Sequence, residues 1–342
     1  MKQSKDQISL AAVGDIYWGS LPENTLYKVL PVLNEHDLRF CCLEGPVSDR
    51  GEDWPGKASV HRSSVATMAP FKKAGFDVVT FANNHCMDLQ TEAFFDTLYL
   101  LDQNDIKYVG AGKNISEARK PVIVEKKGCC IAFLGYASFY HPGFEATENR
   151  PGIAALRTNP LYPTPNIEEE DLKNVLSTVK KTKAQADVLV VAYHWGIGRG
   201  RTLTAYQKAL AHQTIDAGAD IILGSHPHLL QGIEIYKGKV ICYSLGNFVF
   251  EWVKSFANAP FNHVIRETML LTCNIRDNKI KEVFFRPAVI NAPAVNVLTN
   301  PEIVAPDNPL FEKIFDTMNE LSTPLNARLY IEGDKCIISR AE

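Results

Sequence analysis

No stretch of this sequence approaches the ~18 consecutive apolar residues that a membrane-spanning helix requires, so no membrane span is expected. The apolar run near the N-terminus is short and stops at Gly14-Asp15. It predicts a first strand and not a secretion signal. Charge of one sign is lacking too. The 36 Lys and Arg stand against 39 Asp and Glu, a formal net charge of −3, which leaves no electrostatic footprint for nucleic acid. Low-complexity tracts, internal repeats and long linkers are missing. The 8 Cys include the neighbours Cys41–Cys42 and Cys129–Cys130, yet none stands in C-x-x-C spacing. Adjacent residues on a strand face opposite sides, so these predict buried thiols in a reducing, cytoplasmic setting and not a disulfide framework.

What is present is enough apolar content, 46% of 342 residues, to build and cover a large core. Strand-like runs alternate with helical patterns. Strands are predicted over 7–13, 38–43, 77–82, 188–193 and 220–223, and helices over 22–34, 64–74, 89–104, 167–186 and 204–217. Hairpins are predicted around Lys127-Gly128, Lys237-Gly238 and Asp277-Asn278, and from Pro287 onward loops with one helix near 308–320. Alternating βα units imply an α/β architecture with mostly buried strands. One domain is expected, with 1–290 as its body and 291–342 as a C-terminal extension packed on it.

The informative feature is where polar residues fall. Five strand-like runs end in Asp15, in Glu44, in Asn84-His85, in His194, and in His226 with His228. In α/β sheets, ligand sites form beyond the carboxyl ends of strands. Carboxylate, imidazole and amide oxygen together suit a hard-to-borderline divalent cation. A set of more than four exceeds what one zinc needs and would suit two metals, which can clamp a phosphoryl group and assist its in-line displacement. Singly, each has an ordinary explanation. Asp15 could cap a turn, Glu44 could be a solvated loop residue, and His194 could be a hydrogen-bonded structural histidine. His226-Pro227-His228 is the sharpest signal, because strand geometry continued through it would point both imidazoles the same way.

The ordered set Val-Gly-Asp15, Leu-Glu44, Ala-Asn-Asn84-His85-x-x-Asp88, His194-Trp-Gly196, Gly-Ala-Asp220, Gly-Ser-His226-Pro-His228 and Tyr-Ser-Leu-Gly-Asn247-Phe resembles CapA-type proteins of poly-γ-glutamate capsule synthesis, within the calcineurin-like metallophosphoesterase superfamily. The resemblance runs from about Leu10 to Phe250. It implies a four-layer α-β-β-α metallophosphatase-like sandwich and a metal-dependent hydrolase of the phosphoesterase type. The cofactors would be one or two divalent metal ions, Mn2+, Fe2+/Fe3+ or Zn2+. The substrate would be a small-molecule phosphate ester or an anionic polymer. By position, Asp15 would ligate the first metal, Glu44 would bridge, and Asn84, His194 and His226 would ligate the second, with His228 returning to the first. His85 would protonate the leaving oxygen. Asp88 would either fix the tautomer of His85 or cap the following helix. Arg62, Arg199, Arg201 and Asn247 are candidate substrate contacts, the arginines as anion clamps or as plain surface residues. Tyr17 and Trp195 could line the pocket or belong to the core.

The sequence departs from the wider superfamily at three points. Ile16 and Tyr17 follow Asp15 where Asp-x-His is usual, Glu44 stands for a bridging Asp, and Asn83 takes a glycine position, where Asn would tolerate left-handed backbone angles. The missing imidazole motivates a second expectation, a non-catalytic metal-binding or polymer-binding component of a capsule or polyglutamate synthesis assembly.

Overall fold

The computed structural model describes residues 7–251, 266–291 and 300–341. Its architecture is α/β. A ten-stranded sheet runs Ala327–Glu332, Lys335–Arg340, Lys279–Asn291, Glu267–Arg276, Ile8–Tyr17, Leu38–Leu43, Val78–Thr80, Lys107–Val109. Two strands lie off that path: Asn247–Phe250 pairs with Ile8–Tyr17, and Asn300–Ile303 with Lys279–Asn291. A six-stranded sheet runs Ile233–Tyr236, Lys239–Cys242, Ile221–Ser225, Val188–His194, Cys129–Ala137, Val122–Lys126.

The period-2 alternation of the strands decides where the core sits. Leu10 and Ala12 pack in one cluster with Phe133, Val190 and Leu223 of the six-stranded sheet. The intervening Ala11 and Val13 join Phe71, Phe94 and Leu101, which come from helices Met68–Lys73 and Gln90–Gln103. Leu134, Val191 and Ile222 of the six-stranded sheet pack with Val175, Val179, Leu210 and Ile215 of helices Glu169–Lys183 and Ala205–Asp216. Each fully buried side chain of this size contributes about 1.5–3 kcal/mol, which lets the fold carry a few poorly satisfied polar groups at its strand ends.

Most predicted elements form within two residues of their expected ends. All three expected hairpins form, with both turn residues at positive φ (48° and 70°, 52° and 73°, 53° and 62°), the backbone that suits two-residue hairpin loops. The helix expected over 22–34 is reduced to Leu30–Leu33. Pro31 has no N–H to give to the preceding turn and is accommodated only at the start of a helix, so 22–29 form successive turns instead. The first strand extends past Gly14-Asp15 to Tyr17, because Asn247–Phe250 pairs in parallel with its far half. Beyond Pro287 the sequence suggested loops and one helix. Helix Pro309–Ser322 is there, but Asn300–Ile303, Ala327–Glu332 and Lys335–Arg340 are strands that extend the large sheet. The loop expected at 292–299 lies outside the described residues. The eight cysteines are free thiols. Among the described residues, no helix is long and apolar enough to cross a membrane.

Candidate functional site

Leu38–Leu43 and Asn247–Phe250 both run parallel to Ile8–Tyr17, and Val78–Thr80 runs parallel to Leu38–Leu43, so their carboxyl ends share one edge. In the other sheet, Val188–His194 and Ile221–Ser225 are parallel neighbours, with His194 opposite Ser225. The segment Tyr243–Gly246, which leads from Lys239–Cys242 of one sheet to Asn247–Phe250 of the other, lies tight against a strand of each because glycine lets the backbones touch. A Cβ on Gly14 would lie 1.8 Å from the Gly246 carbonyl oxygen, and one on Gly224 would lie 1.9 Å from that of Tyr243.

Asp15 is fully buried. Its Oδ2 accepts the main-chain N–H of His226 at 3.1 Å and lies 3.6 Å from His228 Nδ1, while Oδ1 has no partner. His228 Nδ1 donates to Asn247 Oδ1 at 2.9 Å, which leaves the Nε2 lone pair 3.7 Å from Glu44 Oε1. Both Glu44 oxygens are buried without a hydrogen bond, and His85 Nε2 is 3.9 Å from Oε1. Burial pushes both carboxyls above the usual carboxylate range; for Glu44 the neighbouring Asp15 adds to this. His194 Nε2 meets Asn84 Oδ1 at 2.7 Å, and its Nδ1 lies 3.0 Å from Ser225 Oγ. The His226 ring stacks on Phe139 at 4.1 Å, 4.8 Å from the His194 ring, with both nitrogens buried and unpartnered. Burial holds His85, His194 and His226 well below the ordinary imidazole range, so at neutral pH their lone pairs are available.

Two of the sequence expectations need correction here. The strand before His226-Pro227-His228 ends at Ser225, and both histidines adopt positive φ, 91° and 58°. Strand geometry therefore does not aim the imidazoles; a turn of left-handed backbone does, leaving the rings 5.6 Å apart and tilted by 58°. Such angles cost about 1–3 kcal/mol each in a residue with a side chain, and they persist where the surroundings impose them. Asn83 is not left-handed. Its Nδ2 donates to the Leu43 carbonyl at 2.8 Å and its Oδ1 accepts from His85 N at 2.9 Å, so its side chain braces the loop.

Asp88 does not cap the following helix, whose N-cap is Leu89 with no side-chain bond. It accepts from His85 Nδ1 at 2.6 Å and from the His61 N–H at 2.6 Å. Lys57 pairs with its other oxygen and donates to the Asn84 carbonyl at 2.6 Å. His85 thus carries its proton on Nδ1 and turns Nε2 toward Glu44. The His61 ring lies between Tyr17, at 3.8 Å and 8°, and His85, at 3.5 Å and 4°. Lys57 and His61 escaped the sequence reading. They sit on the irregular 45–64 segment, where no strand end marks them; only the tight Gly45, whose Cβ would lie 2.9 Å from His61 Cβ, betrays the close packing.

Tyr17 therefore walls the pocket, while Trp195 belongs to the core and donates to Tyr243 O at 2.8 Å. Two of the three candidate arginines have acidic partners of their own. The Arg62 guanidinium reaches Asp53 at 3.3 Å, Arg201 reaches Glu267 at 2.7 Å, and Arg199 is exposed, with its main-chain N–H on Pro227 O.

Asp15, Glu44 and His228 bring one donor atom each within 4.8 Å of one another, as do Asp15, Cys42 and His194, and Glu44, His61 and His85. The last set is the poorest, because two parallel rings 3.5 Å apart hold their lone pairs in separate planes and cannot aim both at one ion. Unpartnered carboxylate oxygens and imidazole nitrogens, buried and mutually close, are what a divalent cation would satisfy, and the donor set fits one.

The fold and cluster thus define an α/β chain with a carboxylate–imidazole pocket at its strand ends. Residues 9–252 match the bacterial capsule synthesis protein PGA_cap family, and the chain belongs to it. The capsule biosynthesis protein CapA of Bacillus anthracis is 31% identical over 279 residues, 78% of this chain and 66% of that protein. The PGA biosynthesis protein CapA of Bacillus subtilis (strain 168) is 34% identical over 277 residues, 77% of this chain and 69% of that protein. The chain therefore spans about two thirds of the length of these relatives.

Proposed function

We propose that this chain is a metal-dependent hydrolase of the phosphoesterase type that serves the synthesis of poly-γ-glutamate or a related capsule polymer. The observation that carries it is the set of buried, unpartnered Asp15, Glu44 and His226 atoms, the first near the end of its strand and the other two just past theirs. Two sheets with helices packed on their far faces support the four-layer metallophosphatase-like reading, with 1–290 as the body. Asp15, Glu44 and His228 would hold one cation, and Asn84, His194 and His226 a second. A divalent cation there supplies positive charge that polarises a phosphoryl oxygen and acidifies a water.

The rest falls to the chain's own groups. His85, with Nδ1–H held by Asp88, turns its Nε2 lone pair toward Glu44, where it can take the proton that an attacking water loses and return it to the leaving oxygen. Asp88, itself gripped by Lys57, fixes that ring so that little reorientation is needed at the moment of transfer. Asn247 Oδ1 accepts from His228 Nδ1, while its buried Nδ2–H2 is unpartnered, a donor suited to a substrate oxygen.

A second reading, a non-catalytic binding component, is favoured by Tyr17 standing where an imidazole is usual and by the ion pairs that engage Arg62 and Arg201. One experiment separates the two. The purified protein is analysed for metal by mass spectrometry and assayed with manganese on chromogenic phosphate mono- and diesters. Turnover that His226→Ala abolishes supports the hydrolase. Bound metal without turnover under any metal tried supports the binding component.

A further inference from the structure

Away from the strand-end pocket, the segment that follows Cys129–Ala137 folds over helix Ile115–Ala118 and leaves a cleft of about 390 Å³ between them and the start of helix Glu169–Lys183. That volume lies within the range of small-ligand sites. Its walls include Ile115, Arg119, Tyr140, Glu145, Arg157 and Asp171.

The pairing of these charged groups leaves one donor over. Asp171 is taken by Arg157, whose Nε and Nη2 bind its two oxygens at 2.8 and 3.1 Å. Glu145 is taken by Arg150 at 2.8 Å and by the Gly143 N–H at 2.8 Å. Arg119 is left over: its Nε is buried and has no hydrogen-bond partner. A buried donor without an acceptor costs about 1–3 kcal/mol, more when it belongs to a charged group. Beside it stands Tyr140, half-buried, its phenol pushed up to about 12 by burial and by Glu145 and Asp171, so its O–H remains a donor at neutral pH.

We propose that this cleft is a second binding site, for a single carboxylate group of an amino acid or peptide, with Arg119 as its anchor. Asp171 is held by Arg157, and Glu145 by Arg150 from outside the walls, so Arg119 is the wall cation left without an acid of its own, and one such guanidinium matches one carboxylate group. The fork of a guanidinium matches a carboxylate through two parallel hydrogen bonds. Ile115 and the apolar part of Tyr140 give the adjoining carbon chain a surface.

The test uses the full chain, treated with EDTA so that the strand-end pocket holds no cation. L-Glutamate, a γ-glutamyl dipeptide and inorganic phosphate are titrated in turn, followed by calorimetry and by NMR of the tyrosine resonances. Expected is binding of both carboxylate ligands, weakened 10-fold or more in Arg119→Met and partly restored in Arg119→Lys. Binding should be unchanged in His226→Ala, which separates this cleft from the strand-end pocket and makes the result independent of hydrolysis. A preference for the dipeptide assigns the site to a peptide chain, and equal affinity assigns it to a free amino acid. Tyr140→Phe, which keeps the ring, guards against loss of fold and should weaken binding by a smaller factor. Absence of carboxylate binding, tighter binding of phosphate, or equal affinity in Arg119→Met would each overturn the assignment.

Discussion

Glu44→Gln should make the metal-free protein more stable and the metal-loaded protein less so. Glu44 is 1% exposed, neither carboxyl oxygen is hydrogen-bonded, and Asp15 is a second buried acid beside it. An unsatisfied buried charge costs at least about 1–3 kcal/mol. Glutamine keeps the shape, removes the repulsion with Asp15, and can donate its amide N–H to the free Nε2 of His228. In a chain of this size 1 kcal/mol moves Tm by about 2 °C, so a rise of about 2–6 °C is expected in EDTA. With cation at 100 times its dissociation constant, the wild type gains about 2.7 kcal/mol, roughly 5 °C, and the variant, short of a charged ligand, should keep only a small part of that. Differential scanning calorimetry of both proteins, with EDTA and with Mn2+, reads the crossing directly. A lowered Tm for the variant in EDTA, or an undiminished rise with Mn2+, would refute the view that this pocket is built for a cation.

Two further outcomes are expected. Folding holds the His226 imidazole below its ordinary value, so its contribution to stability is present above about pH 6.5 and lost as pH falls toward the folded pKa. In EDTA, denaturant titrations at pH 7.5 and 5.5 should therefore show His226→Gln recovering up to about 1.4 kcal/mol of the wild type's acid loss, and an identical pH dependence would contradict the buried, neutral ring. Asp88→Asn and Lys57→Met should each lower kcat by about 10–100-fold with little change in KM, and together should cost scarcely more than either alone, because both act through His85. Additive losses in the double variant would show that they do not.

Strand ends were legible in the sequence because they are local. Leu38–Leu43, with its apolar composition and following Glu44, occupies the predicted span, and within each sheet the parallel βα pattern brings the polar residues to the same edge. Lys57 and His61 were not legible. They lie on a segment without periodicity, and only the folded chain shows them against Asp88 and His85.

Local chemistry thus determined which carboxylate, amide and imidazole groups follow the apolar runs, since those runs mark where most of the strands lie. Tertiary structure alone decided which atom each group presents. The orientation of His228 depends on a hydrogen bond to Asn247, 19 residues away, the tautomer of His85 depends on an Asp88 itself gripped by Lys57, and the turn at His226 is held by Asp15 across 211 residues. Such contacts depend on how two sheets pack, and spacing along a chain carries no record of that.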